Sequence, residues 1–114
     1  MPRFVILEHD HPTLHWDFML EAGALLLTWR LSAPPTAQHV VNVERIGDHR
    51  RAYLDYEGPV SGGRGSVTRW DGGTFDWLEN GEERIVVLLR GTRLDGTLQI
   101  VRTAEAGWQG RFTE

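Results

Sequence analysis

Two histidines and an aspartate near the N-terminus have the residue types of a metal site. In the segment Leu14–Glu21 apolar and polar residues alternate, which is typical of a β-strand with two different faces. His15 and Asp17 then share one face, with Cα atoms roughly 7 Å apart, so their side chains can converge on one ion. His9 precedes them. Two histidines with one carboxylate form a recurring ligand set for a divalent transition metal.

This metal interpretation competes with a simpler one. A single histidine is more often an unliganded surface residue, and the pattern His15-x-Asp17 is short. The second imidazole, His9, brings the two interpretations to about equal weight. Asp10 and His11 are alternative ligands, because the sequence does not fix the direction of the turn that follows His9.

A second polar cluster, Asp48-His49-Arg50-Arg51-Ala52-Tyr53, has side chains that suit an anionic substrate. Guanidinium and phenol groups donate hydrogen bonds to phosphate oxygens, and an imidazole donates or shuttles protons. The simpler interpretation is a polar, solvated loop, and composition alone favours it.

Composition limits the chemistry further. The chain has 114 residues, which predicts a single domain over residues 1–114, and its five tryptophans help to supply one apolar core. It contains no cysteine, so a metal must be held by nitrogen and oxygen atoms. All twelve basic residues are arginine and the net charge is −4, so nucleic-acid binding would require a local arginine patch.

Strand patterns dominate the chain, and no long stretch has helical periodicity. Turn signals separate the runs at Ala22-Gly23, Asp71-Gly72-Gly73, Asn80-Gly81 and Asp95-Gly96, with a loop at Gly62–Gly65. We therefore predict an all-β fold, a small closed or partly open antiparallel β-barrel with little helix. Its predicted strands are Phe4–His9, Leu14–Glu21, Ala24–Leu31, His39–Glu44, Ser66–Asp71, Thr74–Leu78, Arg84–Arg90, Thr97–Arg102 and Gly107–Phe112.

The sequence has no apolar signal segment and no run long enough to span a bilayer. We therefore expect a cytoplasmic protein with no membrane partner.

Several of these segments together resemble the 3′-phosphoesterase domain of bacterial DNA ligase D. The similarity begins with Phe4–Asp10 and Leu14–Glu21 and includes Trp29 in the next strand. It continues through four later segments, so that it covers nearly the whole chain: Asp48-His49 with Tyr53, Tyr56-Glu57-Gly58, Val67–Phe75 and Leu89–Gly96.

The resemblance implies a compact β-barrel that removes a terminal ribonucleotide or a 3′-phosphate from DNA 3′ ends at breaks. It also implies a divalent metal, most often manganese, with zinc or another transition metal as alternatives. His9, His15 and Asp17 would be the ligands, and His49 and Tyr53 would contact the scissile phosphate. DNA 3′ ends would be the substrate. Because the chain contains no ligase or polymerase segment, a separate ligase or end-joining protein is an expected partner.

Three positions depart from the family pattern. Met19 replaces a usual arginine, Leu7 a usual glutamine, and Ala33 lies near a usual lysine. The residues implied as metal ligands are therefore retained, while polar residues that would contact the phosphate are missing. A hydrogen bond to a charged group contributes about 1.5–3 kcal/mol, so these losses could lower turnover greatly. Candidate replacements are Arg30, Arg50 and Arg51.

Three hypotheses follow. The first is the metal-dependent phosphoesterase. The second is a catalytically inactive module of the same fold that binds DNA ends or a repair partner. The third is an iron oxygenase with His15 and Asp17 joined by a distal histidine such as His49, although the chain is small for that chemistry.

Overall fold

The computed structural model describes residues 1–37, 39–105 and 107–114. Within these residues the chain is almost entirely β-structure, with one short 3₁₀ helix at Arg51–Leu54. The strands are β1 (Arg3–His9), β2 (His15–Ala22), β3 (Leu25–Leu31), β4 (Val40–Arg50), β5 (Gly58–Pro59), β6 (Ser66–Asn80), β7 (Arg84–Gly91), β8 (Asp95–Thr103) and β9 (Gly107–Thr113).

Eight of these strands close into an antiparallel barrel. Their order is β1-β2-β3-β4-β9-β8-β7-β6, and β6 pairs back onto β1. The two-residue strand β5 pairs only with the start of β6. The predicted antiparallel barrel with little helix is confirmed. Among the described residues no helix is both long enough and apolar enough to cross a membrane.

The barrel interior is filled by one continuous apolar core. Every strand of the closed sheet contributes residues to this core at alternate positions. Because all eight strands face only the barrel interior in common, these residues point inward. Its fully buried members include Phe4, Ile6, Phe18, Leu20, Leu31, Phe75, Val87, Leu89, Leu98 and Ile100. Because Phe18 and Leu20 point inward, the intervening residues of β2 face outward.

The outer face of β1–β3 carries a second apolar cluster, which we call the outer cluster. It consists of Val5, Leu7, Met19, Leu26, Leu54 and Val67, with Tyr53 and Val60 packed against it. The 3₁₀ helix and the segment after it thus cover this part of the barrel. The outward face of β2, predicted to be polar, is therefore also buried: His15 is 4% exposed and Asp17 2%.

Polar contacts hold the 3₁₀ helix in place. The Arg3 guanidinium donates to Asp55 at 2.7 Å, and Arg69 donates to the Leu54 carbonyl at 2.9 Å. Arg51 donates from Nε to Glu21 Oε2 at 2.6 Å, and the Arg3 backbone N–H donates to the other Glu21 oxygen at 2.9 Å. The backbone hydrogen bond and, more weakly, Arg51 hold the pKa of Glu21 below its ordinary value, against the opposing effect of desolvation.

Two predicted turns are wrong. Asp71-Gly72-Gly73 lies inside β6, which pairs with β1 up to Thr74 and with β7 from Gly73 onward. A Cβ atom at Gly73 would lie 1.9 Å from the Arg90 carbonyl oxygen, so glycine permits close backbone approach here rather than a chain reversal. The reversal predicted at Asp95-Gly96 occurs earlier, where Gly91 N donates to the Leu94 carbonyl.

The region around His49 also differs from its prediction. Strand β4 continues to Arg50 instead of ending at Glu44, and Tyr53 lies in the 3₁₀ helix. The segment is therefore not a solvated loop. The turn signals at Ala22-Gly23 and Asn80-Gly81 do mark hairpins, as predicted.

Candidate functional site

Strands β1 and β2 bring the candidate metal ligands together. His9 ends β1 and His15 begins β2, and the two residues are paired in register. Their ring centroids lie 4.8 Å apart, with one ring edge toward the other. Asp17 follows on the same outward face of β2. The hairpin thus places three side chains on one patch outside the barrel.

Their ligand atoms converge. His15 Nε2 lies 3.3 Å from Asp17 Oδ2, and His9 Nδ1 lies 3.7 Å from the same oxygen. One ligand atom from each residue lies within 4.8 Å of the others. Two donors that are each about 2.1 Å from one ion are at most about 4.2 Å apart, and both separations from Asp17 satisfy that limit.

Backbone carbonyls orient both imidazoles. The Thr13 carbonyl lies 2.8 Å from His15 Nδ1, and the Arg64 carbonyl lies 2.8 Å from His9 Nε2. A carbonyl oxygen can only accept a hydrogen bond, so these ring nitrogens carry the N–H. In a neutral ring the other nitrogen then points an unprotonated lone pair toward Asp17.

This arrangement leaves polar atoms without partners. His15 Nε2 and Asp17 Oδ1 are buried and have no hydrogen-bond partner among the described residues. Two nitrogen lone pairs that face a carboxylate need a cation or a proton between them. The donor set of two imidazoles and one carboxylate, each ring fixed by a carbonyl on its far side, fits a divalent metal ion.

A cleft of about 650 Å³ opens beside this cluster. His9, Asp17, His49 and Tyr53 all line it. His49 Nδ1 lies 3.0 Å from the Gly47 carbonyl, which receives the N–H, so the opposite ring nitrogen is left for another partner. The His49 and Tyr53 rings contact edge to face, with centroids 5.7 Å apart. The second polar cluster of the sequence thus meets the first across one cleft.

The alternative ligands have other surroundings. Asp10 Oδ1 accepts a hydrogen bond from the Ser66 backbone N–H at 2.8 Å. His11 lines the cleft. Within the described ranges, the three-residue group with metal-ligand spacing contains His9 and neither Asp10, His11 nor His49. The ligand set of the iron-oxygenase hypothesis, which needs His49, is not brought together.

Arginine side chains line the cleft in which the resemblance implies phosphate binding. Met19 and Leu7 are each 1% exposed and belong to the outer cluster, so neither offers a hydrogen-bond donor to the cleft. Of the three candidate replacements, Arg30 and Arg50 line the cleft. Arg51 instead contacts Glu21.

Sequence reasoning missed Arg64, which also lines the cleft. Its segment folds back over the end of β1, where the Arg64 carbonyl meets His9 across 55 positions of sequence. The glycines at 62, 63 and 65 have positive φ, which supports this reversal. No local pattern indicates a contact over that separation.

Fold and site together define a small antiparallel β-barrel with a candidate metal centre in a cleft on its outer face. Residues 7–102 match the family model of the DNA Ligase D 3'-phosphoesterase domain, and the chain belongs to that family. The resemblance inferred from the sequence is thereby confirmed.

The chain is similar to segments of larger repair proteins. It is 29% identical over 120 residues to the multifunctional non-homologous end joining protein LigD of Pseudomonas aeruginosa, with 96% of this chain and 14% of that protein covered. It is 30% identical over 116 residues to the multifunctional non-homologous end joining DNA repair protein LigD of Mycobacterium tuberculosis, with 92% and 15% covered. The chain thus spans about a seventh of the length of these relatives.

Proposed function

We propose that this protein is a metal-dependent phosphoesterase that acts on DNA 3′ ends and removes a terminal ribonucleotide or a 3′-phosphate during break repair. One observation carries the proposal: the ligand atoms of His9, His15 and Asp17 converge beside the cleft that His49 and Tyr53 line. Membership of the 3'-phosphoesterase family supports the same reaction class.

The metal would be held by His9, His15 and Asp17. Nitrogen and carboxylate donors suit manganese, and zinc or another transition metal is the alternative. When bound, the ion would supply a Lewis acid that polarises a phosphoryl oxygen. The Thr13 and Arg64 carbonyls keep the ring N–H groups away from it, so both imidazoles present a lone pair without a rearrangement.

Two further side chains would act on the phosphate itself. Tyr53 lines the cleft with a phenol that can donate to a phosphoryl oxygen. His49 already donates from Nδ1 to the Gly47 carbonyl, so its protonated ring would deliver a proton from Nε2 to the leaving oxygen. The edge-to-face contact between the two rings would keep them on the same wall of the cleft.

The substrate proposal rests on charge as well as chemistry. The net charge of −4 repels nucleic acid, whereas Arg30, Arg50 and Arg64 gather in this cleft. A 3′ end presents its terminal phosphate at the tip of the strand, which a cleft of this volume can admit. The names of the relatives describe multifunctional end joining, so a separate ligase or end-joining protein is the proposed partner. The proposed location is the cytoplasm.

Phosphate release from a primer–template duplex with a 3′-phosphate tests the proposal directly. With manganese we expect release that chelator abolishes and that Asp17→Asn reduces at least a hundredfold. A duplex of the same sequence with a 5′-phosphate serves as the control substrate and should remain intact. Equal release from both substrates, or none from the 3′-phosphate, would contradict the proposal.

A second candidate is a non-catalytic module that binds DNA ends or a repair partner. The observation in its favour is that Met19, which lines the cleft, and Leu7, its neighbour in the outer cluster, are both apolar and buried. This candidate predicts that the protein binds the 3′-phosphorylated duplex and releases no phosphate with any divalent metal. The same assay, run beside a binding measurement, distinguishes the two functions.

A further inference from the structure

Arg30 occupies an unusual position beside the candidate metal centre. In the antiparallel pairing of β2 with β3 it is the direct partner of Asp17, and in the pairing of β3 with β4 it is the partner of Glu44. Directly opposed residues of neighbouring strands place their side chains on the same face, with Cβ atoms about 4.5–5.5 Å apart. Arg30 therefore projects outward, next to the carboxylate of Asp17.

The Arg30 guanidinium has a buried nitrogen, Nε, without a hydrogen-bond partner in the described part of the chain. Among the described residues neither Asp17 nor Glu44 forms an ion pair with it, although both residues flank it in register. A half-buried guanidinium beside two carboxylates, with no bond to either, has donors left for a ligand.

Arg30 also lies between two cavities. It lines the 650 Å³ cleft together with His9 and Asp17, and it lines a neighbouring groove of about 350 Å³ together with His15. The side chain thus forms part of the wall that separates these spaces and borders both histidines of the cluster. A phosphate placed against the cluster would meet this wall.

The other guanidiniums of the region are less suited. Arg64 donates to the Ser61 carbonyl at 2.7 Å and to the Ser61 hydroxyl at 3.1 Å, so its fork is committed within its own turn. Arg51 is committed to Glu21. Arg50 is exposed at the end of β4, where water competes for the donors of a guanidinium. Only Arg30, of these four, combines burial, free donors and a place beside Asp17.

We infer that Arg30 is the residue that holds the substrate phosphate in this protein, a role that rests on the proposed function. The planar fork would donate two parallel hydrogen bonds to two non-bridging phosphoryl oxygens, while Asp17 remains available to the metal. The guanidinium would thus reach the phosphate from β3, because β2 offers only Met19 at the adjacent outward position.

A competing role for Arg30 is purely structural, as a long-range counter-charge between Asp17 and Glu44. That role predicts loss of stability on substitution without any effect on which DNA end is bound. Selectivity for a 3′-phosphate over a 3′-hydroxyl therefore separates the two roles, because only phosphate recognition depends on the terminal group.

The test measures binding of two labelled duplexes that differ only in a 3′-phosphate or a 3′-hydroxyl, by fluorescence anisotropy in chelator so that no turnover occurs. We expect the wild type to prefer the 3′-phosphate at least fivefold. Arg30→Gln should abolish the preference, and Arg30→Lys should retain part of it. The matched control is Arg102→Gln. Arg102 is an exposed arginine on β8, and no described residue of β8 lines the cleft. This variant should keep the preference.

Kinetics complete the test. Arg30→Gln should lower kcat/KM for 3′-phosphate release at least tenfold while the manganese-induced rise in Tm stays at the wild-type value. Introducing Met19→Arg into the Arg30→Gln protein should recover part of the loss. An active wild type that shows no preference for the 3′-phosphate, or whose Arg30→Gln variant keeps it, overturns the inference about Arg30. A wild type that releases no phosphate with any divalent metal instead overturns the proposed function.

Discussion

His15 Nε2 lies 3.3 Å from Asp17 Oδ2, and both side chains are buried. Because the Thr13 carbonyl takes the N–H of the other ring nitrogen, a neutral His15 faces the carboxylate with a lone pair. Without a cation, this contact brings two acceptors together in a site that water barely reaches. The Asp17 carboxylate therefore raises the affinity for a metal ion but lowers the stability of the metal-free protein.

The first prediction is that Asp17→Asn removes metal binding without destabilising the metal-free protein. The amide is close to the carboxylate in size, carries no charge to desolvate, and can donate an N–H to the facing lone pair of His15. Thermal unfolding in chelator should give a Tm equal to or above that of the wild type. Manganese at a hundred times its Kd should stabilise the wild type by about 2.7 kcal/mol and the variant by none.

Asp71 provides a matched control, because it is an equally buried aspartate with a different environment. Its carboxylate accepts backbone N–H groups from Thr92 at 2.9 Å, Arg93 at 3.2 Å and Leu94 at 2.8 Å. The second prediction is that Asp71→Asn lowers the free energy of unfolding by about 1.5–3 kcal/mol, since an amide nitrogen cannot accept these bonds. Chemical denaturation measures it. Equal losses for Asp17→Asn and Asp71→Asn would mean that both carboxylates are structural.

The third prediction concerns pH and Glu21. Its pKa is lowered in the folded protein, chiefly by the backbone N–H of Arg3 and then by Arg51. A lowered folded pKa contributes stability above the unfolded value of about 4.3, and that contribution is lost as the pH falls through the folded pKa. The Tm difference between wild type and Glu21→Gln should therefore be greatest near pH 7 and should close below about pH 4. A difference that is constant from pH 7 to pH 3 would show that the carboxylate charge is irrelevant.

The fourth prediction is that binding to DNA ends is weak and strongly dependent on salt. The protein carries a net charge of −4, so its affinity must come from the positive charges of the three arginines that line the cleft, Arg30, Arg50 and Arg64. Arg64 contributes its charge although its fork is bonded to Ser61. About three phosphate contacts give a slope of log K against log salt of about −2 to −3. Affinity should then fall roughly 15- to 60-fold between 50 and 200 mM salt, measured by anisotropy. An affinity that is flat over this range would point to contacts other than phosphate.

The barrel and the shared face of the two candidate ligands His15 and Asp17 could be predicted from local pattern. Alternation from Leu14 to Glu21 fixes which residues of β2 share a face, and that face carries His15 and Asp17 in the structure. The strand boundaries were less accurate, since Leu14 is exposed and precedes the strand. The alternation of apolar and polar residues predicts which face of the strand each side chain lies on, whereas the position at which a strand ends depends on the strand that pairs with it.

Long-range contacts explain what the sequence could not supply. The outward face of β2 has a polar pattern, and nothing in that pattern shows that the 3₁₀ helix and Val60, more than thirty residues from Met19, pack over this face. Gly72 and Gly73 have the composition of a turn, and only the approach of the Arg90 backbone to Gly73 shows why glycine is needed there within a strand. Arg64 reaches the site through a loop closure of the same kind. Local propensity contains no information on any of these contacts.

Met19 lies two residues beyond Asp17 on the outward face of β2 and lines the cleft, although it is 1% exposed. Its neighbours in the outer cluster, among them Leu7 and Leu26, surround the side chain with apolar groups. An arginine at this position can bury its methylene stem in the cluster and direct the guanidinium into the cleft. The cost of the larger side chain should be about 1–3 kcal/mol of unfolding free energy.

The last prediction is that Met19→Arg raises 3′-phosphate release roughly tenfold, since one added charge-assisted contact in the transition state is worth about 1.4 kcal/mol or more. The assay compares phosphate release by the wild type and the variant at the same manganese and salt concentrations. Met19→Leu is the matched control, because leucine fills the same apolar position without a donor, and its activity should equal that of the wild type. Should Met19→Arg fold and bind manganese normally but release phosphate no faster than Met19→Leu, the outward face of β2 does not reach the reacting phosphate. Arg30 would then supply the only guanidinium contact that the reaction uses from this hairpin and its neighbouring strand.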